Sequence, residues 1–301
     1  QPKITAVKLK VDLFPSQRAY QIKGEYLLTN ISPVPIRQIH VQKLLESNVT
    51  LTDVSFNCPA TTNKRYEKYH YIIYELSQPL ASGQTLRMNF KQTLQPKGFE
   101  ADNSDIDVVD NGTFFDNAVL PSFGYQKKYE LQEEDDRKHF ALLPRKHKAK
   151  RDDVRELVNA RSGSDSYGTT LETIISTEAP QTALATGDLL AKWTKNGRNY
   201  FHYKTNQQII NFYPVVSADY QMMRDTCIPL GNTKNTPVDL EIYYQKGHEY
   251  NLKRMMESMK KTMILVAEDD PDDRLLIQKA FAKGCEGGKL IYVENGEELV
   301  K

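Results

Sequence analysis

The sequence predicts a mainly β protein of antiparallel sandwich or saddle-like sheets with a few helices, followed by a small C-terminal β-α-β-α fragment. Three observations carry this reading. Apolar and polar residues alternate over long runs, turn-forming pairs separate the runs, and at Met263 the pattern changes to short, continuous apolar strands. In the opening run Val7, Leu9, Val11 and Leu13 fall on one side and Lys8, Lys10 and Asp12 on the other, as in a half-buried antiparallel strand. Tyr20, Ile22, Gly24, Tyr26 and Leu28 repeat the period, as do Leu86, Met88 and Phe90, with a weaker echo at Ile39 and Val41. Ser32-Pro33 and Ser82-Gly83 supply turns between them.

From about Pro96 to Gly168 the alternation fades and charge accumulates, from Glu130 to Arg137 and again through Arg145-Lys146-His147-Lys148 and Lys150-Arg151. Asp152, Asp153 and Glu156 stand beside that basic run, so residues 130–168 read as a charged helix and loop insertion with a solvated face rather than as a phosphate patch. Arg161-Ser162-Gly163-Ser164 reads as a mobile loop. Strand character returns from Thr170 to Tyr244. Asn196-Gly197, two residues that accept positive φ, separates a run holding Trp193 from one holding Tyr200, Phe201 and Tyr203, which predicts a hairpin. Val238, Leu240, Ile242 and Tyr244 alternate in a last strand, and Leu252, Met255, Met256 and Met259 take helical spacing, predicting a helix from near Glu249.

Composition narrows the function classes. The 301 residues suffice for about two domains, and 40 Lys+Arg against 39 Asp+Glu leave a net charge of +1, which argues against a broad nucleic-acid surface. Mean hydropathy is −0.60, and no run approaches the ~20 apolar residues of a membrane helix. Cys58, Cys227 and Cys285 are widely spaced and odd in number, which indicates neither a disulfide framework nor a cysteine zinc module. The chain opens at Gln1 without a basic-then-apolar leader, as a processed product or an excised piece does.

Motifs for chemistry are sparse. His248-Glu249 invites a zinc-helix reading, but Leu252 stands where the second histidine belongs. His40, His70, His139, His147 and His202 show no ligand spacing, and no G-x-S-x-G elbow, P-loop or G-x-G-x-x-G turn occurs. Glu268, Asp269 and Asp270 end a parallel-type strand, where carboxylates either hold a hard cation such as Mg²⁺ or cap the following helix. Tyr69, Tyr71 and Tyr74, or Tyr200 and Phe201, could line a peptide groove, although sheet packing is the commoner use of such residues.

Residues 1–262 resemble the N-terminal β domain of the M1 (gluzincin) aminopeptidase family, in the branch joined to bacterial ABC-transporter permeases. The resemblance rests on Val7-Lys8-Leu9-Lys10-Val11-Asp12-Leu13, on Ile22-Lys23-Gly24-Glu25-Tyr26, and on the runs from Gly197 to Lys204 and from Glu241 to Leu252. It implies a scaffold that packs beside a catalytic domain and helps shape a peptide cleft. The family's G-x-M-E-N loop and H-E-x-x-H zinc site do not occur in this sequence, so the resemblance transfers no catalytic residue and zinc is not expected here. Implied partners are the catalytic domain, a peptide or membrane-transporter subunits, not nucleic acid. The implied setting is membrane-associated and extracytoplasmic.

Residues 263–301 resemble the start of a response-regulator receiver, a flavodoxin-like fold, through Ile264-Leu265-Val266-Ala267-Glu268-Asp269-Asp270-Pro271 and Val293-Glu294-Asn295-Gly296-Glu297-Glu298. The resemblance gives Glu268 and Asp269 a weak Mg²⁺ role. The acceptor-aspartate strand of a receiver and its later threonine or serine and lysine do not follow, so no phosphorelay is expected. A receiver cut there exposes a sheet edge and is expected to dock on the β domain, pair with another chain or remain largely disordered. Receivers are cytoplasmic, which conflicts with the setting above and makes Met263 the expected start of a fused segment. Together these readings describe a non-catalytic scaffold or recognition domain. The alternatives are the N-terminal portion of an active zinc aminopeptidase and a phosphorelay regulator.

Overall fold

The computed structural model of the chain describes residues 1–45, 48–96, 98, 107–126, 129–144, 167–228, 237–260, 265–267 and 291–293. It is mainly β, and its contacts divide it into two units, Gln1–Asp219 and Tyr220–Lys301, earlier in the chain than the change of composition at Met263.

In the first unit run β1 (Lys3–Phe14), β2 (Ala19–Thr29), β3 (Ile36–Gln42), β4 (Val49–Phe56), β5 (Ala60–Asn63), β6 (Tyr71–Leu80) and β7 (Thr85–Leu94). The short β8 (Val108–Val109), β9 (Gly112–Phe115) and β10 (Ser122–Phe123) precede helix α1 (Glu134–His139). Then come β11 (Tyr167–Glu178), β12 (Thr182–Ala185), β13 (Asp188–Lys195), β14 (Arg198–Lys204), β15 (Ile209–Ile210) and β16 (Val215–Ala218). An eight-stranded sheet takes the order β13-β14-β11-β1-β2-β7-β4, with β15 on β11, and two four-stranded sheets follow the orders β10-β3-β6-β5 and β12-β16-β9-β8.

One face of the large sheet is dry. Val7, Leu9, Val11 and Leu13 of β1 are buried, as are Ile22, Tyr26 and Leu28 of β2 and Leu86, Met88 and Phe90 of β7. Both small sheets contribute to the same core, Ile39, Val41, Ile72 and Tyr74 from one and Val108, Phe115, Ala183 and Val215 from the other. Each buried Leu or Ile is worth about 1.5–3 kcal/mol against exposure. Tyr20 meets Phe115 at 5.2 Å between ring centroids and Tyr26 meets Phe123 at 5.8 Å, so two tyrosines of β2 reach across to the small sheets. Their polar ends are satisfied: Gln92 Nε2 donates to the Tyr20 hydroxyl at 3.0 Å and to the Val119 carbonyl at 2.9 Å, and the Tyr26 hydroxyl donates to the Pro121 carbonyl at 3.3 Å.

The antiparallel reading holds for most pairs and fails for one. β1 pairs with β2 antiparallel but with β11 in parallel, from Ala6 opposite Thr170 to Asp12 opposite Ser176. Alternation specifies which side of a strand is dry, not which way its neighbour runs, so the sequence pattern is the same for either direction. The predicted hairpin is present: Lys195 pairs with Arg198, and Asn196 (φ 51°) and Gly197 (φ 75°) take the positive φ values such a turn needs. β13 carries an extra residue, Leu190, between the pairs made by Leu189 and Ala191. Of the charged insertion, α1 is described and has no buried residue; residues 145–166, with the basic run and the Arg161 loop, lie outside the described residues.

The second unit contains β17 (Tyr220–Cys227), β18 (Val238–Gln245), α2 (Leu252–Lys260), β19 (Leu265–Ala267) and β20 (Ile291–Val293). β17 and β18 form an antiparallel pair, and Leu252 and Met256 of α2 pack with Ile242. α2 begins three residues after the expected Glu249, with its first helical hydrogen bond from Met255 N–H to the Asn251 carbonyl at 2.9 Å. β19 and β20 pair in parallel, Leu265 opposite Ile291.

Gly24 faces Phe90 across β2 and β7, and a methyl at position 24 would stand 2.0 Å from Phe90 Cζ. The Phe90 ring therefore lies over the glycine and against Tyr26, 4.8 Å away between centroids. Gly24→Ala is expected to cost about 1–3 kcal/mol by overpacking, read from the urea midpoint of unfolding. Adding Phe90→Leu is expected to return part of that loss, a non-additivity that independent sites do not give.

Candidate functional site

The residues the sequence singles out do not converge. His248 and Glu249 sit in the turn before α2, not on the helix: His248 N–H donates to the Gln245 carbonyl at 3.1 Å, and Glu249 Oε1 accepts from Gly247 N–H at 2.9 Å. Leu252 is buried in the core of that unit. His70 Nδ1 lies 3.0 Å from the Leu44 carbonyl, His40 Nδ1 lies 3.0 Å from the Tyr71 hydroxyl, and His139 lies against Phe140 at the exposed end of α1. Among the described residues no group of three or more His, Cys, Asp or Glu could hold a metal ion. Glu268, Asp269 and Asp270 lie outside the described residues, as do His147 and Cys285.

The aromatics divide in two. Tyr74 and Phe201 are core residues, Tyr74 packed on Phe56 at 5.1 Å. Tyr69 is exposed under the Lys68 ammonium, 4.7 Å from its ring, and Tyr200 stacks on Trp193 at 5.2 Å with their planes 8° apart.

What the structure does assemble is a polar face on the solvent side of the large sheet, where β14, β11 and β1 lie side by side. His202 Nε2 donates to Glu172 Oε1 at 3.0 Å, and Lys204 Nζ stands 3.6 Å from Glu172 Oε2. Partial burial disfavours the Glu172 carboxylate, but the His202 hydrogen bond and the charges of Lys204 and Lys8 outweigh it and hold its pKa below the usual carboxylate value. Next to this group, Arg198 donates from Nη2 to the Leu13 carbonyl at 2.7 Å and to Ser176 Oγ at 2.9 Å, while its guanidinium covers the Phe14 ring at 4.6 Å. Ser176 Oγ in turn donates to Asp12 Oδ1 at 2.5 Å. Sequence reading set His202 aside for want of ligand spacing. Glu172 lies 30 positions earlier, and only the register of β11 with β14 brings the two together.

This arrangement fixes strands and presents charge and aromatic surface to solvent.

Comparison with protein families gives no match, and no curated protein matches the chain. Solved structures do. The chain is similar to a two-domain M1 zinc metallopeptidase bound to L-tryptophan (12% identity, TM-score 0.52), over 96% of this chain and 56% of that one. It is similar to the M1 zinc metallopeptidase of Deinococcus radiodurans (12% identity, TM-score 0.52), over 96% and 55%. Legionella pneumophila aminopeptidase A in complex with aspartic acid matches at 12% identity and TM-score 0.54, over 96% of this chain and 28% of that one. The chain therefore has a β-rich fold found within M1 zinc metallopeptidases, and it spans about half the length of the first two of these structures.

Because the Glu172 pKa is lower in the folded chain than in the unfolded one, its contribution to stability is fully present above the unfolded value and is lost as pH falls through the folded value. Glu172→Gln is expected to cost less than about 1 kcal/mol near pH 7, as for a partly exposed ion pair. It is also expected to make unfolding midpoints less sensitive to pH below the ordinary glutamate range, read by thermal melts across an acid series.

Proposed function

We propose that this chain is a non-catalytic scaffold and recognition domain of an M1-metallopeptidase-like protein, lying beside a peptide-hydrolysing domain and helping to shape its cleft. The observation that carries this reading is the extent of the likeness, 96% of this chain but only about half of the first two neighbours, joined to a sequence without an H-E-x-x-H motif. In this reading zinc belongs to the catalytic part, which is the chain's main partner. The second unit supports the same view: Ile242, Leu252 and Met256 make a small core, while Met222, Val238, Met255 and Tyr250 are exposed, as expected of a segment that further polypeptide covers.

The finer branch, an association with a membrane transporter, is proposed on the residue runs that carry the family resemblance. It would place the parent protein at a membrane with this part extracytoplasmic. For residues 263–301 we propose an incomplete receiver segment, with Glu268 and Asp269 as a weak Mg²⁺ site. The parallel pairing of Leu265–Ala267 with Ile291–Val293 favours a βαβ unit there.

The metallopeptidase nature of the structural neighbours also favours a second reading, in which the parent is a working zinc aminopeptidase and this chain its N-terminal portion. An H-E-x-x-H helix in the parent's downstream sequence selects that reading, and its absence selects a pseudo-enzyme.

With amino-acid anilides and added zinc, the chain by itself is expected to give no turnover above buffer. Robust hydrolysis that tracks zinc content would overturn the proposal. Treatment with acetyl phosphate and Mg²⁺ is expected to leave the intact mass unchanged, and a stable phosphoryl adduct would restore the phosphorelay reading.

A further inference from the structure

The solvated face of the eight-stranded sheet carries a line of uncompensated charge. Lys10 of β1 stands directly opposite Lys23 of β2, and Lys23 stands directly opposite Lys91 of β7. Residues so opposed have Cβ atoms about 4.5–5.5 Å apart, and like charges in that arrangement are destabilising. The adjacent row is built differently: Lys8 has Glu172 on one side and Glu25 on the other, so its charges alternate.

Three carboxylates near the lysine row are engaged elsewhere. Arg87 Nε stands 3.4 Å from Glu25 Oε2, His202 and Lys204 take Glu172, and Ser176 Oγ donates to Asp12 at 2.5 Å. Among the described residues no carboxylate pairs with Lys10, Lys23 or Lys91. Neutral donors share the face, with Thr52 opposite Lys91 and the Gln21–Thr93 pair one row along.

We infer that Lys10, Lys23 and Lys91 form a binding site for a multivalent phosphate group. Lysine binds phosphate as a point charge on a long stem, and one polyanion among three ammonium groups relieves the repulsion along the row. The same chemistry serves a free polyphosphate or the phosphorylated headgroup of a lipid.

The test uses the full chain at low salt, with inorganic tripolyphosphate in calorimetric titration and thermal melts. Vesicles of phosphatidylcholine with and without phosphatidylinositol bisphosphate are used in sedimentation. Saturable binding is expected, with a rise in the unfolding midpoint that fades as salt is added. A response to tripolyphosphate assigns a free phosphate, and a response confined to the phosphorylated vesicles assigns a headgroup. Lys23→Gln is expected to weaken binding about 5-fold or more while melting no lower than the parent without anion, since it removes the middle charge of the row. Lys8→Gln, which removes a compensated charge, is expected to change binding less than about 2-fold. Absence of saturable binding to both probes would overturn the site. Equal weakening by Lys8→Gln and Lys23→Gln would also overturn it, since that is the behaviour of net charge alone.

Discussion

The parallel pairing of β1 with β11 is the contact on which the exposed face depends. It joins Ala6 to Thr170 and Asp12 to Ser176, strands separated by most of the first unit's chain. Closing so long a loop is costly, but the cost grows only slowly with length, by about 0.6 kcal/mol per doubling. The pairing is fastened beyond its ladder. Thr169 Oγ1 donates to the Ile4 carbonyl at 2.9 Å in the interior, and Arg198 of the next strand ties Ser176 to the Leu13 carbonyl. Remove that junction, and β13, β14 and β11 lose their place beside β1, and with it the grouping of Glu172, His202, Lys204 and Lys8.

The other side of the same sheet explains why that face can be polar. The two small sheets cover its dry side, so most of the large apolar residues of β1, β2 and β7 are spent inward, while half-buried Phe14 and Leu27 stand outside that core. Tyr20, Tyr26 and Tyr213 bring hydroxyls into that interior, and burial pushes the Tyr213 phenol above its ordinary pKa, which keeps it a neutral hydrogen-bonding group throughout the working range. With the core complete on one side, the outward positions are free to carry charge without loss of packing. A sheet layered in this way keeps apolar packing to one face and charge to the other.

Much of the fold was legible because alternation is a local signal. Val7 to Leu13, Tyr20 to Leu28 and Leu86 to Phe90 announced their dry faces, and Asn196-Gly197 announced its turn through backbone chemistry confined to two residues. Partnership was not legible, since the direction and register of β11 against β1 leave no mark on either strand. The register of β2 with β1 and β7 was equally silent, so the lysine row was invisible: only that register places Lys10, Lys23 and Lys91 in line. The start of α2 lies three residues beyond Glu249, whose carboxylate accepts from the Gly247 N–H in the preceding turn. The chemistry expected at Glu268 and Asp269 lies outside the described residues, and the zinc-helix reading of His248 fails on geometry, because the imidazole precedes the helix.

The extra residue in β13 matters for more than that strand. All eight of its residues are exposed, and it forms one rim of the large sheet, with hydrogen-bonding groups that no strand among the described residues takes up on the outer side. A rim of that length is an invitation to stacking between molecules, chain after chain. Leu190 interrupts the regular repeat of donors and acceptors, and Lys192 and Lys195 set positive charge along the approach, so an incoming strand would fall out of step and meet repulsion. An irregularity of this kind is one of the ways an open sheet edge resists pairing with a further strand.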